Sequence, residues 1–340
     1  MRTTRVAAIV GFAALGLASA TNRAAAEDEF YRGKQISIVV PAGPGGGYGN
    51  IGQMFAPHFA RHVPGNPRVI VDFQDGSGGM RAANLVYNVS ARDGTVIALL
   101  FKDTPMFQVL RPRGVKYDMS KLNYLGSMGP IINNVALWHG APAKSVADCM
   151  KTEIVMGATG KGPTMYMVPV LMNKLMGTKF KVVTGYKGAA PVRLAMENGE
   201  AQGMVVTWDS WKTGAPDWIR EGKIINIAQL AVKKAPDLPD VPLLTDLVQD
   251  PEAKKIFRMI AASSDLGWYV SAPPGVPKER LATLRAAFEA TMKDPAFLEE
   301  AKRRGLDDDP NPAEVVTAAV NEIVNTPKPL VDKVKKLLDY

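Results

Sequence analysis

Between Gln35 and Gly52 the chain reads Gln-Ile-Ser-Ile-Val-Val and then Pro-Ala-Gly-Pro-Gly-Gly-Gly-Tyr-Gly-Asn-Ile-Gly. A short β-branched apolar run is stopped by prolines and glycines, and Gln53 to His62 follows with helical character. Strand, glycine-rich loop and helix in that order form the first crossover of a parallel α/β sheet, which excludes all-helical and all-strand folds. Glycines let backbone N–H groups turn toward a ligand, and the first N–H groups of a helix have no partner within it. An anion fits such a place. Gly45, Gly46, Gly47, Tyr48 and Asn50 are the candidate contacts from this loop.

The same unit recurs along the chain. Arg68-Val-Ile-Val-Asp72 reads as a second strand, followed by the turn cluster Asp75-Gly-Ser-Gly-Gly79 and a helix from Met80 to Val89. Ser77 and Gly78 are therefore placed at the border of any cleft. Asp93-Gly94 turns the chain into a third strand, Thr95 to Phe101, and three such units define a doubly wound domain with ligands at the carboxyl ends of its strands. An extended run from Asn123 to Trp138 opens a second set, with strands at Glu153 to Gly157, Lys181 to Tyr186, Gly203 to Trp208 and Lys223 to Ala228. The turn Ala158-Thr-Gly-Lys-Gly-Pro-Thr164 leads into a helix closed by Gly177, in which Pro169 predicts a late start or a kink. A helical tail begins at Pro277, and Asn311-Pro-Ala-Glu314 has the spacing of a capping box. Two similar halves plus this tail predict two lobes around a cleft, lobe I from 27–127 and 264–340 and lobe II from 128–263.

Residues 1–26 read as a secretory signal peptide: Arg2 and Arg5 precede an apolar run from Val6 to Ala20, and Ala24-Ala25-Ala26 offers a cleavage site near Ala26. That predicts an exported, periplasmic protein. Setting aside the three leader arginines lowers the formal net charge from +8 to +5, and the basic residues are scattered. Such a surface draws anions weakly and is not a nucleic-acid footprint. Cys149 is the only cysteine, so no intrachain disulfide forms and the fold depends on its apolar core.

Catalytic constellations are poorly represented. Gly47-Tyr-Gly-Asn-Ile-Gly52 satisfies G-x-G-x-x-G, with Asp72 20 residues on, which makes a nicotinamide- or flavin-dependent oxidoreductase the alternative reading. Against it, Pro41 to Gly46 separate the strand from the first glycine of the motif, whereas a dinucleotide turn follows its strand at once. Gly157-Ala-Thr-Gly-Lys-Gly162 lacks the spacer and the hydroxyl residue of a phosphate-binding P-loop. Its residues serve better as a second anion loop, with Thr159 and Thr164 as hydroxyl donors, Gly160 for backbone access and Lys161 as a charge. His58 and His62 are four apart, but no Glu follows His58 and the only other histidine is His139, so no metal site and no nucleophile–base set is assigned. Tyr48, Tyr186 and Trp208 stand at strand ends, where each could wall a cleft or pack in the core. No cofactor is expected, and the reading is a binder, not an enzyme.

Several segments together resemble the solute-binding receptors of tripartite tricarboxylate transporters. They are Pro41-Ala-Gly-Pro-Gly-Gly-Gly47, Gly76-Ser-Gly-Gly79, Asp93-Gly-Thr95, Gly157-Ala-Thr-Gly160, Thr184-Gly-Tyr-Lys-Gly-Ala-Ala-Pro-Val-Arg-Leu-Ala-Met-Glu-Asn-Gly-Glu200, Leu238-Pro-Asp-Val-Pro242 and Ala272-Pro-Pro-Gly-Val-Pro277. The resemblance implies a two-lobed, Venus-flytrap α/β fold of the periplasmic-binding-protein class. It also implies a small organic carboxylate, a di- or tricarboxylate or an aromatic acid, gripped between the loop Gly45 to Asn50 and the loop Gly157 to Thr164. The implied partner is a membrane permease of one large and one small subunit, served by a monomeric receptor. One departure stands out: where the family places an aspartate and then an arginine after its first loop, this chain has Gly49 and Gln53. An aspartate restored at position 49 is expected to alter ligand preference.

Overall fold

β1 (Gln35–Val40) runs parallel to β2 (Arg68–Phe73) on one side and to β3 (Val96–Ala98) on the other, with Gln35 opposite Arg68 and Ser37 opposite Val96. The structure, a computed structural model, describes residues 30–44, 47–111, 113–161, 163–186, 188–306 and 309–340. The expected signal peptide with its cleavage site near Ala26, and Gly45 and Gly46, lie outside the described residues. β1 is buried on both faces: Ile36, Ile38 and Val40 pack with Phe55 and Phe59, while Val39 packs with Ala82 and Val86. Layers of helix on either side of a parallel strand require this pattern. Those layers are α1 (Gly47–His62) and α2 (Met80–Asn88), and α3 (Thr104–Leu110) follows β3.

α1 begins at Gly47, six residues before the predicted start at Gln53, and carries Pro57 inside it. Gly52 makes this possible: an added Cβ there would stand 3.0 Å from Val40 Cγ2, so only a bare backbone lets the helix lie this close to the sheet. The first sheet is completed by β4 (Asn123–Ser127), β10 (Tyr269–Ala272) and β11 (Asn311–Pro312), in the order β11-β4-β10-β3-β1-β2. β10 is antiparallel to both of its neighbours, so the sheet is mixed. The capping box does not form: Asn311 belongs to β11, paired with Ser127, and its side chain donates to the Asp265 carbonyl at 3.3 Å. Recruitment of its backbone into the sheet takes Asn311 away from the helix end, which Pro312 occupies instead.

The second sheet contains β5 (Asn133–Trp138), β6 (Ile154–Ala158), β7 (Phe180–Thr184), β8 (Gly203–Thr207) and β9 (Ile224–Leu230), in the order β7-β6-β8-β5-β9. β7, β6 and β8 are parallel and β5 is antiparallel to β8 and β9. α4 (Thr164–Met176) follows β6, α5 (Ala189–Glu197) follows β7 and α6 (Trp208–Gly214) follows β8. α4 runs unbroken through Pro169 and ends, as its sequence predicts, on Gly177 in the left-handed conformation.

The extended run from Asn123 to Trp138 is thus two strands in two sheets, and the chain crosses between them at 128–132. It returns beside itself: Trp268 N–H donates to the Gly129 carbonyl at 3.2 Å, Met128 N–H to the Trp268 carbonyl at 3.2 Å, and Ile131 N–H to the Ser264 carbonyl at 3.0 Å. Between the crossings lies α7 (Pro251–Ala261), and the tail contributes α8 (Lys278–Thr291), α9 (Pro295–Arg303), α10 (Ala313–Val324) and α11 (Lys328–Leu338). α8 and α9 pack on α1, whereas α11 touches both α3 and α4 and so spans the two halves. Cys149 is buried, and burial pushes its thiol up to about 11, which suits a small apolar filler better than a reactive group.

Candidate functional site

Residues that follow β1, β2 and β3 in one sheet meet residues that follow β6 and β8 in the other around a cavity of about 410 Å³. This is the carboxyl-terminal edge where open α/β sheets bind ligands. α1 begins there at Gly47 and α4 at Thr164, one from each sheet. The N-cap of α4 is Pro163, which offers no side-chain acceptor; Tyr166 N–H donates to the Pro163 carbonyl at 2.9 Å, which leaves the N–H groups of Thr164 and Met165 available to an anion. Asp103 and Thr207, the N-caps of α3 and α6, also line the cavity, and Thr207 Oγ1 accepts from Ser210 N–H at 3.1 Å.

The walls are mostly apolar: Phe101, Phe107, Ile131, Val206 and Trp268. Tyr48 packs edge-on to Phe101 with ring centroids 4.7 Å apart and against Trp268 at 4.6 Å. Its hydroxyl accepts from the Lys102 backbone N–H at 3.0 Å, and burial holds it far above the ordinary phenol range, so it stays a neutral donor. The Lys102 ammonium is buried and donates to Asp103 Oδ1 at 3.0 Å and to Ser263 Oγ at 3.4 Å. The two charges cancel within the wall. An anion here is met chiefly by backbone dipoles and hydroxyls, and its carbon skeleton by aromatic faces.

A second chamber of about 460 Å³ continues from the first and shares Gly47, Thr207, Ser210 and Trp268 with it. It is lined by polar groups, among them Asn50, Arg193, Asp209 and Arg304. On the other flank, Ser77, Gly78, Phe107 and Arg111 border a groove of about 320 Å³.

Of the residues singled out from sequence, Gly47, Tyr48, Gly78 and Thr164 come together in the first chamber, Asn50 in the second and Ser77 in the groove. Thr159, Gly160 and Lys161 sit in the turn after β6, outside the linings of these three spaces, and the Lys161 carbonyl accepts from the Tyr340 hydroxyl. Tyr186 packs among the apolar side chains of the second sheet, near Gly157 and Val192. Trp208 is buried in the same cluster, its indole N–H donating to Asp237 Oδ2 at 2.6 Å. Sequence reasoning passed over Phe101, Lys102, Asp103, Phe107, Asn133, Thr207, Ser210 and Trp268. The run Phe101-Lys-Asp-Thr-Pro105, a polar start with proline directly after a buried strand, carried a usable signal.

Two mixed α/β sheets, linked by paired crossings and facing each other across such a cavity, make the architecture of the periplasmic solute-binding proteins. The family model described as "Tripartite tricarboxylate transporter family receptor" matches residues 60–335, and the chain belongs to that family. Family members are periplasmic receptors of tripartite transporters for small organic acids, and the protein is a receptor, not an enzyme. A solute-binding protein of the family from Polaromonas, solved without ligand, superposes with a TM-score of 0.69 at 20% identity, covering 89% of this chain and 99% of that one. An R. palustris protein with adipate gives 0.65 at 20% identity, over 90% of this chain and 97% of that one. A malate-bound protein from Rhodopseudomonas palustris gives 0.64 at 18% identity, over 90% and 99%. No curated protein sequence matches the chain.

The oxidoreductase alternative loses its footing on the helix start. Gly47, Gly49 and Gly52 all lie within α1, whereas a dinucleotide fingerprint needs its first glycine in the turn between strand and helix. Gly49 explains the departure from the family pattern too. It is buried, and a Cβ added there would stand 2.1 Å from the Gly43 carbonyl oxygen. The loop as folded has no room for an aspartate.

Proposed function

We propose that the protein is exported behind a signal peptide cleaved near Ala26, captures a small organic carboxylate in the cleft, and delivers it as a monomer to a permease of one large and one small subunit. Lobe I is 27–127 with 264–340 and lobe II is 128–263, and the ligand is held by a helix start from each. The observation that carries the reading is the meeting of the α1 and α4 starts at one cavity whose side-chain charges are already paired. Relatives solved with adipate and malate support an acid of this size.

Magnitudes agree. Micromolar affinity requires about 8 kcal/mol. Charge-assisted hydrogen bonds contribute roughly 1.5–3 kcal/mol each, and a helix terminus about 0.3–1. Four to six such bonds from two loops suffice after ordering costs. No covalent step is required.

A thermal-shift screen of organic acids, followed by calorimetry, tests this. A true ligand at one hundred times its Kd adds about 2.7 kcal/mol of stability. A panel of mono-, di- and tricarboxylates and aromatic acids in which none shifts the melting temperature refutes the proposal.

A further inference from the structure

We propose that Arg193 forms a second anion subsite, separate from the two loops, that selects ligands carrying a second negative charge. The inference rests on the carboxylate-receptor reading and deepens it. Arg193 stands on α5, a helix that contributes nothing to the first chamber, and its side chain lines the second. The only hydrogen bond it makes among the described residues is a long one, from Nη1 to the Ser210 carbonyl at 3.5 Å. Burial lowers its pKa from the ordinary arginine value with no carboxylate contributing, as for a cation taken from water without a counter-charge. It nonetheless remains charged, because guanidinium is not deprotonated in proteins.

Its neighbours in the chamber are spent. Arg304 forks onto Glu300 at 3.1 and 2.6 Å, and Asp209, the carboxylate among the described lining residues, has Lys212 Nζ at 3.2 Å. Lys212 is shared with Asp237 at 3.9 Å, and Arg193 is the lining cation with no carboxylate within 4.0 Å among the described residues. Space for its head group is kept by Gly214, where an added Cβ would fall 2.6–2.8 Å from the guanidinium atoms. A planar fork with most of its donors unused is matched to a carboxylate. The chamber opens onto the aromatic-walled first one through Gly47, Thr207, Ser210 and Trp268. An acid held by the α1 and α4 starts can thus lay an apolar spacer along Trp268 and place its far carboxylate on Arg193.

The test is a cycle between receptor and ligand. Calorimetric Kd values are taken for adipate against hexanoate and for benzene-1,4-dicarboxylate against 4-methylbenzoate, on the full mature chain, on Arg193→Gln and on Gly214→Ala. Loss of one charge-assisted pair should weaken the diacid of a pair about 10- to 100-fold and the monoacid less than about threefold. Gly214→Ala keeps the charge and displaces only the head group, so it should show the same selectivity with an unchanged or higher melting temperature. Equal losses for diacid and monoacid, or none, overturn the Arg193 subsite and leave the receptor reading standing, as does a wild-type preference for the monoacids. Failure of every acid to bind the wild type sinks the carboxylate reading and the subsite with it.

Discussion

Gly267→Ala should be among the most damaging single substitutions outside the cleft. Gly267 lies where the chain returns to the first sheet, with φ 49° and ψ −131°. A side chain in such a conformation costs about 1–3 kcal/mol. An added Cβ would also stand 1.8 Å from the Gly129 carbonyl oxygen and 2.8 Å from its carbon. Both colliding atoms are backbone, so no rotamer change relieves the contact and the two crossings must move apart. That strains the Trp268-to-Gly129 and Met128-to-Trp268 hydrogen bonds, each of net worth about 1 kcal/mol. Strain and lost bonds together come to about 4 kcal/mol, which for a chain of this size lowers the melting temperature by roughly 6 °C. Gly177→Ala is the control: its φ is 77°, but nothing lies within 4 Å of the added Cβ, so only the conformational cost of about 1 kcal/mol applies. Urea unfolding of both variants separates collision from strain. A Gly267→Ala loss equal to that of Gly177→Ala would show that the crossings do not press on each other.

Three further outcomes are expected. Lys102→Met leaves Asp103 uncompensated at the cavity wall, so affinity for any bound carboxylate should fall at least about tenfold by titration, with stability lowered by about 3–5 kcal/mol. Gly49→Asp should lower both stability and ligand binding, because the Gly43–Pro44 backbone occupies the place of its Cβ; a mere reordering of ligand preference at unchanged stability would contradict this. The carboxyls of Asp294, the N-cap of α9, and of Glu300 within α9 are held below their ordinary values, first by hydrogen bonds from His62 and His58 of α1. A folded-state pKa below the unfolded one stabilises fully above the unfolded value, about 4, and the stabilisation disappears as pH falls through the folded value. The melting temperature should therefore drop on acidification below about pH 4, and Asp294→Asn should flatten that dependence.

Much of the scaffold was legible because local and tertiary preferences agree. Gln35 to Val40 and the stop at Gly177 stand where an apolar run and a left-handed cap put them, whereas the late start or kink expected at Pro169 is absent and α4 runs unbroken from Thr164. Boundaries moved where tertiary contacts overrode local signals. Asn311 was drawn into β11 by Ser127, and α1 starts early because Gly49 and Gly52 let it press against backbone and strand. At the cavity, glycine marked Gly47 and Gly78, which line the first chamber, but it equally marked Gly160, which lines none of the three spaces. Residues brought from afar were not marked: Trp268 arrives from the return crossing, and the Lys102–Asp103 pair declares itself only when burial shows that its charges are spent on each other. A sequence shows charge without showing compensation.

Compensation also bears on how the lobes can close. Leu100, Val135, Met156, Leu171, Phe257 and Val334 belong to one apolar cluster that runs through both sheets and the tail. α11 lies on α3 and α4 together, and beyond it the Tyr340 hydroxyl donates to the Lys161 carbonyl while Arg111 lies over its ring. Close-packed interiors resist continuous deformation, so such a shared core favours a small bend at the paired crossings over a wide swing. A receptor that closes little gains little discrimination from induced fit. Its selectivity must then reside in groups already in place: the helix starts, the aromatic walls and the Arg193 guanidinium proposed as the second anion subsite.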